Sequence, residues 1–197
     1  MNYTLIGSFT SPYVRKLRLF LFSLGTYEFK SINYLEQKDS EYLKSINPIN
    51  QIPILLDGEV KIFDSRVIYN YLAKKHHLRP LSIEEENKLS AIDAALDTSI
   101  NLFSLRRGGL DLNAPNAYIE RQQERIPLIL SYLSSWVSTL DPKNPDHWNF
   151  LTMSLYSFLY WGEYREIVSL DQYPEHKFFL EQFKNAPGIL ETNPPPA

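Results

Sequence analysis

The pattern of apolar residues differs between the two parts of the chain, and this difference constrains the fold more than any other feature. Over about the first 75 residues, short runs typical of strands alternate with stretches of helical spacing, and Asp57-Gly58-Glu59 joins two of the runs. Glycine accepts the positive φ of a tight turn, so this triplet predicts a β-hairpin. From Ile83 onward no convincing strand pattern occurs. The sequence therefore predicts an α/β domain followed by an all-α domain.

The first part is predicted to contain elements in the order βαβαββα, with four strands of mixed direction in one sheet. Pro80 lies in a short polar stretch that reads as a linker. We expect an α/β domain over residues 1–76, a linker over 77–83 and a helical domain over 84–197. Three long helices and a shorter one fit the pattern of the helical domain.

Composition excludes several classes of function. The net charge of -3 and the lack of a long basic block argue against a nucleic-acid partner. The sequence has no apolar stretch of about 18 residues, and its N-terminus lacks the pattern of a signal peptide. We therefore expect a cytoplasmic protein with no membrane partner. The absence of cysteine excludes disulfides, thiolate metal sites and a cysteine nucleophile.

Three short segments carry side chains suited to chemistry, and each also has a structural explanation. Ser11 precedes Pro12 at the start of a helical pattern, where serine caps the helix and proline suits its first turn. Pro53 begins an apparent strand, a place where proline is tolerated. Asp64 and Ser65 stand where a strand gives way to a helix, and both residue types satisfy helix N-termini. Taken one at a time, the patterns leave both explanations open.

In this order and spacing, SFTSPYVRKLR, NPINQIPILLDG and FDSRVIYNYLAKK resemble the N-terminal half of cytosolic glutathione S-transferases. A helical second half of the expected length follows, so the resemblance covers the whole chain. The first and third segments are similar to those of a serine-type bacterial subgroup with SPFVRK and FDS. The resemblance implies a thioredoxin-like domain followed by a helical domain, usually assembled as a homodimer.

The resemblance also implies a glutathione site, in which Ser11 is the catalytic residue. Its hydroxyl would hydrogen-bond the glutathione sulfur, and this donor and the positive end of the first helix both favour the reactive thiolate. Ser11 would thus stabilise a nucleophile rather than act as one. No cofactor is implied, since glutathione is a co-substrate. The implied glutathione-binding residues are Ser11, Gln51, Ile52, Pro53, Asp64 and Ser65.

Each of these residues has an implied role. The backbone of Ile52, just before the cis-proline Pro53, would pair with the cysteinyl residue like an added strand, and Gln51 would reach the glycyl end. Asp64 would hold the γ-glutamyl ammonium, and Ser65 would bind the carboxylate at a helix N-terminus.

The chain departs from the family pattern at two places. Most members carry glutamate where Asp64 stands. At the start of the sixth predicted helix, Asn149 and Thr152 replace a hydroxyl residue and an aspartate, so the return bond from an acidic side chain is expected to be lost.

The resemblance places a small electrophilic molecule between the domains, against Tyr13, Arg106, Arg107 and Tyr160. The arginines end a helix, where its dipole favours cations without any ligand. Tyr160 belongs to a tyrosine series of helical spacing, which is more often core packing. His76 and His77 have no partner at metal-ligand spacing, so no metal is expected.

Three hypotheses for the function follow. The first is a glutathione S-transferase acting on small electrophiles, a detoxification chemistry. The second is a thiol oxidoreductase, which the lack of cysteine sets aside, although a glutathione-dependent peroxidase side activity needs no protein thiol and remains open. The third is a non-catalytic glutathione-binding or scaffold protein on the same fold.

Overall fold

A computed structural model describes residues 3–25 and 27–195 of the protein. The chain divides into two compact units, one holding residues 3–80 together with 187–195 and the other holding residues 81–186. The sequence led us to expect all residues from 84 onward in the helical domain. Residues 187–195 instead group with the first unit, because Ile189 and Thr192 are buried there and Arg18 donates to the carbonyls of Glu191 and Thr192.

The first unit has the predicted βαβαββα order. Its strands form one sheet in the order β2-β1-β3-β4, with β1 parallel to β2 and antiparallel to β3, and with β3 antiparallel to β4. This confirms the predicted mixed sheet and the hairpin at Gly58, whose φ is 58°. The elements are β1 (Tyr3–Gly7), α1 (Pro12–Leu24), β2 (Tyr27–Ser31), α2 (Gln37–Ile46), β3 (Ile54–Asp57), β4 (Val60–Phe63) and α3 (Ser65–Lys75).

The register of the sheet brings three strand ends to one edge. Ile6 near the end of β1 lies opposite Ile54 at the start of β3, and Ile54 lies opposite Phe63 at the end of β4. Neighbouring strands are about 4.8 Å apart, so the three positions lie within about 10 Å. The loops that follow β1, precede β3 and follow β4 therefore share this edge.

Helix α1 packs closely on the sheet. Val14 and Leu17 are fully buried, as their helical spacing predicts. At Gly7 an added Cβ would lie 2.4 Å from Cγ2 of Val14, so the end of β1 requires glycine for α1 to approach this closely. The start of α1 is thus held against the edge of the sheet where β1 ends.

The far end of α3 is tied to the hairpin. Lys75 donates to the carboxylate of Asp57, and the Tyr71 hydroxyl donates to the same oxygen at 2.6 Å. The ammonium of Lys75, followed by the hydrogen bond from Tyr71, lowers the pKa of the Asp57 carboxyl. These bonds fix α3 beside β3. They thereby help to hold the N-terminus of α3 at the edge of the sheet where β4 ends.

The second unit is helical. The three long helices and the shorter one are confirmed, and no strand occurs in the described residues from 81 to 186. The second long helix contains Pro127 and ends at Val137. The helices are α4 (Ile83–Arg107), α5 (Ala117–Val137), α6 (Phe150–Tyr164) and α7 (Pro174–Phe183), with a 3-10 turn over Pro145–His147.

The start of α6 keeps a reciprocal cap without an acidic residue. Oδ1 of Asn149 accepts from the amides of Leu151 and Thr152, and the Thr152 hydroxyl accepts from the Asn149 amide at 3.0 Å. The same hydroxyl donates to the His147 carbonyl at 2.7 Å. A hydroxyl thus supplies the return bond whose loss was expected, because it can accept a bond and donate one simultaneously.

Candidate functional site

Ser11 caps α1 with donor capacity to spare. Its Oγ accepts from the Val14 amide at 3.4 Å, and no described residue accepts a bond from its hydroxyl. The loop before it is fixed by Ser8, whose carbonyl accepts from the Ser11 amide at 3.2 Å and whose hydroxyl accepts from the Thr10 amide. Ser11 is half-buried. The structure therefore gives Ser11 both the capping role and a proton available to a ligand at a helix N-terminus.

The segment before β3 presents a free stretch of backbone. The Ile52-Pro53 peptide is cis, as the family resemblance implies. Neither the amide nor the carbonyl of Ile52 has a hydrogen-bond partner among residues 3–25 and 27–195, so both remain open to a peptide ligand. Gln51 is exposed and Pro53 is buried. These groups can bind an extended peptide in the manner of an added strand.

Asp64 and Ser65 form the start of α3 at the same edge. Oδ1 of Asp64 accepts from the amides of Arg66 at 2.8 Å and Val67 at 3.1 Å, so the carboxylate caps the helix. Asp64 is exposed, and within the described chain no residue donates to Oδ2. Ser65 is 5 % exposed, and its amide and hydroxyl have no partner among the described residues. The pair offers donors to an anion and one carboxylate oxygen to a cation.

Asn47 is a residue of this edge that the sequence analysis did not single out. It is 1 % exposed, its Nδ2 donates to the Gln51 carbonyl at 2.7 Å, and its Oδ1 accepts from the Ile49 amide at 2.9 Å. It also caps the end of α2. An asparagine before a proline at the end of a helical pattern was the available signal, because asparagine readily bonds neighbouring backbone.

The side chains proposed for the electrophile have varied surroundings. Arg106 donates to the carbonyls of Arg165 and Glu166, which joins α4 to the loop after α6. Arg107 is exposed with no partner in the described part of the chain, and the Nζ of Lys16 lies 5.3 Å from the centre of the Tyr13 ring. Tyr160 stacks between two other tyrosines, with ring centroids 6.1 and 6.4 Å apart. The aromatic series is thus a continuous stack along α6.

The described residues lack two other kinds of feature. Within residues 3–25 and 27–195, no group of three or more His, Cys, Asp or Glu side chains is arranged to hold a metal ion. In the same residues, none of the helices combines the length and the apolar character needed to cross a membrane.

Comparison with known proteins supports the reading of the first unit. Residues 1–74 match the family model described as the N-terminal domain of glutathione S-transferases. The chain resembles these enzymes. The glutathione S-transferase-like protein YibF of Escherichia coli K12 is 40% identical over 70 residues, or 34% of each chain. A probable glutathione S-transferase of rice, GSTF1, is 34% identical over 86 residues, or 42% of this chain and 39% of its own.

Solved structures of glutathione S-transferases share the fold over nearly the whole chain. One from Methylobacterium radiotolerans, in complex with glutathione sulfonate, has a TM-score of 0.83 at 19% identity and covers 100% of this chain and 97% of its own. One from Pseudomonas fluorescens Pf-5, with bound glutathione, has a TM-score of 0.82 at 22% identity over 98% and 100% of the two chains.

The likeness to glutathione S-transferases thus differs in extent between sequence and fold. The matches to curated relatives span about a third of those relatives' length, at 34% and 39% for the two named above. The thioredoxin-like domain followed by an all-α domain is the fold of the solved glutathione S-transferases. The predicted fold class is therefore confirmed.

Proposed function

We propose that the protein is a serine-type glutathione S-transferase, which conjugates glutathione to a small electrophile with Ser11 as the catalytic residue. One observation carries the proposal: the loop ending in Ser11, the Ile52 backbone and the start of α3 meet at one sheet edge, and each has unused hydrogen-bonding groups. These groups match the parts of glutathione in kind. The hydroxyl of Ser11 suits the thiol, the strand-like backbone at Ile52 suits the peptide backbone of the cysteinyl residue, and the amide at the start of α3 suits the γ-glutamyl carboxylate.

The chemistry proposed for Ser11 is the stabilisation of an anion. A free thiol is mostly protonated at neutral pH, whereas the thiolate is the nucleophile. The Ser11 hydroxyl donates to the sulfur, and the N-terminal end of α1 adds a partial positive charge, so the thiol loses its proton to solvent more readily. The thiolate sulfur then forms a bond to the electrophilic carbon. A leaving group departs with the electron pair of its bond, or a proton adds where the carbon belonged to a polarised double bond.

The rest of the proposed site orients the tripeptide. Ile52 pairs with the cysteinyl backbone, Gln51 reaches the glycyl end, and Ser65 binds the γ-glutamyl carboxylate with its amide and hydroxyl. Oδ2 of Asp64 takes the γ-glutamyl ammonium. Holding a nucleophile next to its target can by itself contribute about 7 kcal/mol to lowering a bimolecular barrier. Tyr13, Arg106, Arg107 and Tyr160 stay candidates for contact with the electrophile.

The test compares wild type, Ser11→Ala and a matched hydroxyl control, Ser45→Ala, whose exposed hydroxyl donates to the Tyr42 carbonyl. Calorimetry measures glutathione binding, ultraviolet absorbance of the thiolate measures the pKa of bound glutathione, and a panel of electrophiles measures turnover. We expect Ser11→Ala to keep binding, raise the thiol pKa and lose most turnover, while Ser45→Ala behaves as wild type. If wild type does not bind glutathione, the proposal fails. Binding without turnover on any electrophile supports a glutathione-binding protein instead.

The proposal includes the homodimer and the cytoplasmic location that the family resemblance implies. Light scattering of the purified protein tests the dimer. A peroxide substrate in the same panel tests for the peroxidase side activity.

A further inference from the structure

We propose that Asn47 is the positioning residue for glutathione, because its buried amide sets the direction in which the Ile52 amide meets the ligand. This inference rests on the proposed function and adds a residue to it. Asn47 lies between α2 and the loop that leads to Ile52, and no atom of it needs to touch the tripeptide. Its role is to fix backbone that does.

The contacts of Asn47 tie four backbone positions together. Its own amide donates to the Leu43 carbonyl, its carbonyl accepts from the Asn50 amide at 3.0 Å, and its Oδ1 accepts from the Ile49 amide. Its Nδ2 donates to the Gln51 carbonyl at 2.7 Å. Asn47 is only 1 % exposed, so its hydrogen bonds are shielded from competing water. The loop therefore has one strongly preferred conformation before a ligand arrives.

The bond to Gln51 determines the orientation of the next amide. The Gln51-Ile52 peptide is trans, and a trans peptide group is planar, with its carbonyl and its N–H on opposite sides. Since the Gln51 carbonyl points at Asn47 inside the protein, the Ile52 N–H points away from it. That N–H is the one left without a partner among the described residues. Loss of the Asn47 amide frees the peptide plane to rotate and removes this preorganised donor.

A purely structural role for Asn47 predicts a different pattern of effects. If the side chain only stabilises the end of α2, its replacement lowers the stability of the protein and weakens the binding of all ligands at this edge equally. If it positions the Ile52 amide, its replacement weakens only those ligands that accept a bond from this amide, namely ligands with a cysteinyl carbonyl. γ-Glutamylcysteamine lacks that carbonyl and keeps the γ-glutamyl group and the thiol, so it distinguishes the two roles.

The experiment measures binding of both ligands by calorimetry to wild type, Asn47→Asp and Asn47→Ala. Asn47→Asp keeps an acceptor for the Ile49 amide and replaces the donor by an oxygen that repels the Gln51 carbonyl. The charge control is Asn144→Asp. Asn144 is exposed and its Oδ1 accepts from the Asp146 amide, a bond that an aspartate at this position can also accept. Thermal unfolding shows whether each variant is folded at the temperature of the binding measurement.

We expect the Kd of Asn47→Asp for glutathione to rise about tenfold and that for γ-glutamylcysteamine to change by less than about twofold. The kcat at saturating glutathione should stay near that of wild type, since Ser11 is unchanged, and Asn144→Asp should match wild type throughout. Equal weakening of both ligands, or no weakening of either in a folded variant, overturns the inference.

Amide hydrogen exchange of the wild type keeps the inference testable if neither variant folds. The Ile49 amide should be protected in the free protein, whereas the Ile52 amide should exchange fast and become protected only with glutathione bound. An Ile52 amide that exchanges equally fast with and without glutathione overturns the inference. A wild type that does not bind glutathione overturns the proposed function instead, and the exchange of Ile49 in the free protein then still reports on the loop.

Discussion

Replacing Asp64 by asparagine separates the two roles assigned to its carboxylate. Oδ1 caps α3 by accepting from two amides, and the residue has a φ of 70°. Asparagine caps a helix as well as aspartate does and is among the few side chains that tolerate positive φ. We therefore expect Asp64→Asn to lower the free energy of unfolding by only about 0.5 kcal/mol, the effect of removing a negative charge from a helix N-terminus.

The same substitution should weaken glutathione binding much more than it affects stability. In the proposed site Oδ2 bonds the γ-glutamyl ammonium, and hydrogen bonds between charged groups contribute about 1.5–3 kcal/mol. Asp64 is exposed, so we take a value near the lower end of this range, about 1–2 kcal/mol. A loss of that size raises the Kd about 5- to 30-fold.

Asp64→Ala is the matched variant that loses the cap as well. Removing the capping oxygen costs about 1 kcal/mol of folding stability. Placing alanine at a φ of 70° adds about 1 kcal/mol, because its Cβ crowds the backbone in that region. Urea unfolding should therefore show Asp64→Ala to be less stable than wild type by about 2 kcal/mol, with Asp64→Asn close to wild type.

Calorimetry with two ligands completes the assay. Glutaryl-cysteinylglycine is glutathione without its amino group, so it cannot use the Asp64 carboxylate. Wild type should lose as much affinity from the missing amine as from Asp64→Asn, and Asp64→Asn should bind both ligands almost equally. If Asp64→Asn binds glutathione as tightly as wild type does, the ammonium contact is assigned wrongly and Asp64 is a helix cap alone.

Three further outcomes concern folding stability, each measured by urea unfolding. Arg18→Gln removes a guanidinium that donates to two carbonyls of residues 187–195 and should cost about 3 kcal/mol, whereas exposed Arg107→Gln should cost almost nothing. Thr152→Val keeps the volume of the side chain but loses the return bond of the α6 cap, and should cost about 1–3 kcal/mol. Burial lowers the pKa of His176 more than nearby Glu175 raises it, so the unfolded chain takes up the proton first. Stability should accordingly fall as the pH drops below about 6.5, and His176→Phe should remove that part of the pH dependence.

The fold could be predicted from sequence because its main features are periodic. Strand-like runs interspersed with helical spacing in the first 75 residues, and helical spacing alone afterwards, both result from the burial of apolar residues in each element. The hairpin at Gly58 followed from the conformational freedom of one residue. Residues 187–195 were assigned to the helical domain because they follow it in the sequence, whereas they belong to the first unit. They form a short irregular segment, and bonds from Arg18 to backbone carbonyls leave no side-chain pattern to detect.

The candidate site was predictable in part for a related reason. Ser11 and Ser65 stand at helix starts, and helix starts have recognisable residue preferences. Asn47 acts through bonds from its side chain to backbone atoms of Ile49 and Gln51. Any residue can supply such backbone atoms, so the partners of Asn47 leave no trace in the sequence. The reciprocal cap at Thr152 was missed because a hydroxyl was not considered a replacement for a carboxylate.

The proposed site is assembled from three loops that are each fixed by a local device of their own. A serine turn at Ser8 fixes the loop before α1, the Asn47 amide fixes the loop before β3, and the Asp64 cap fixes the turn before α3. None of these three bonds shares an atom with another, and none requires a ligand. The sheet supplies only the common edge, through the register of Ile6, Ile54 and Phe63. Since these bonds order each loop before binding, the entropy of arranging the donors is lost during folding rather than on binding. The ligand's contacts can therefore contribute more fully to affinity.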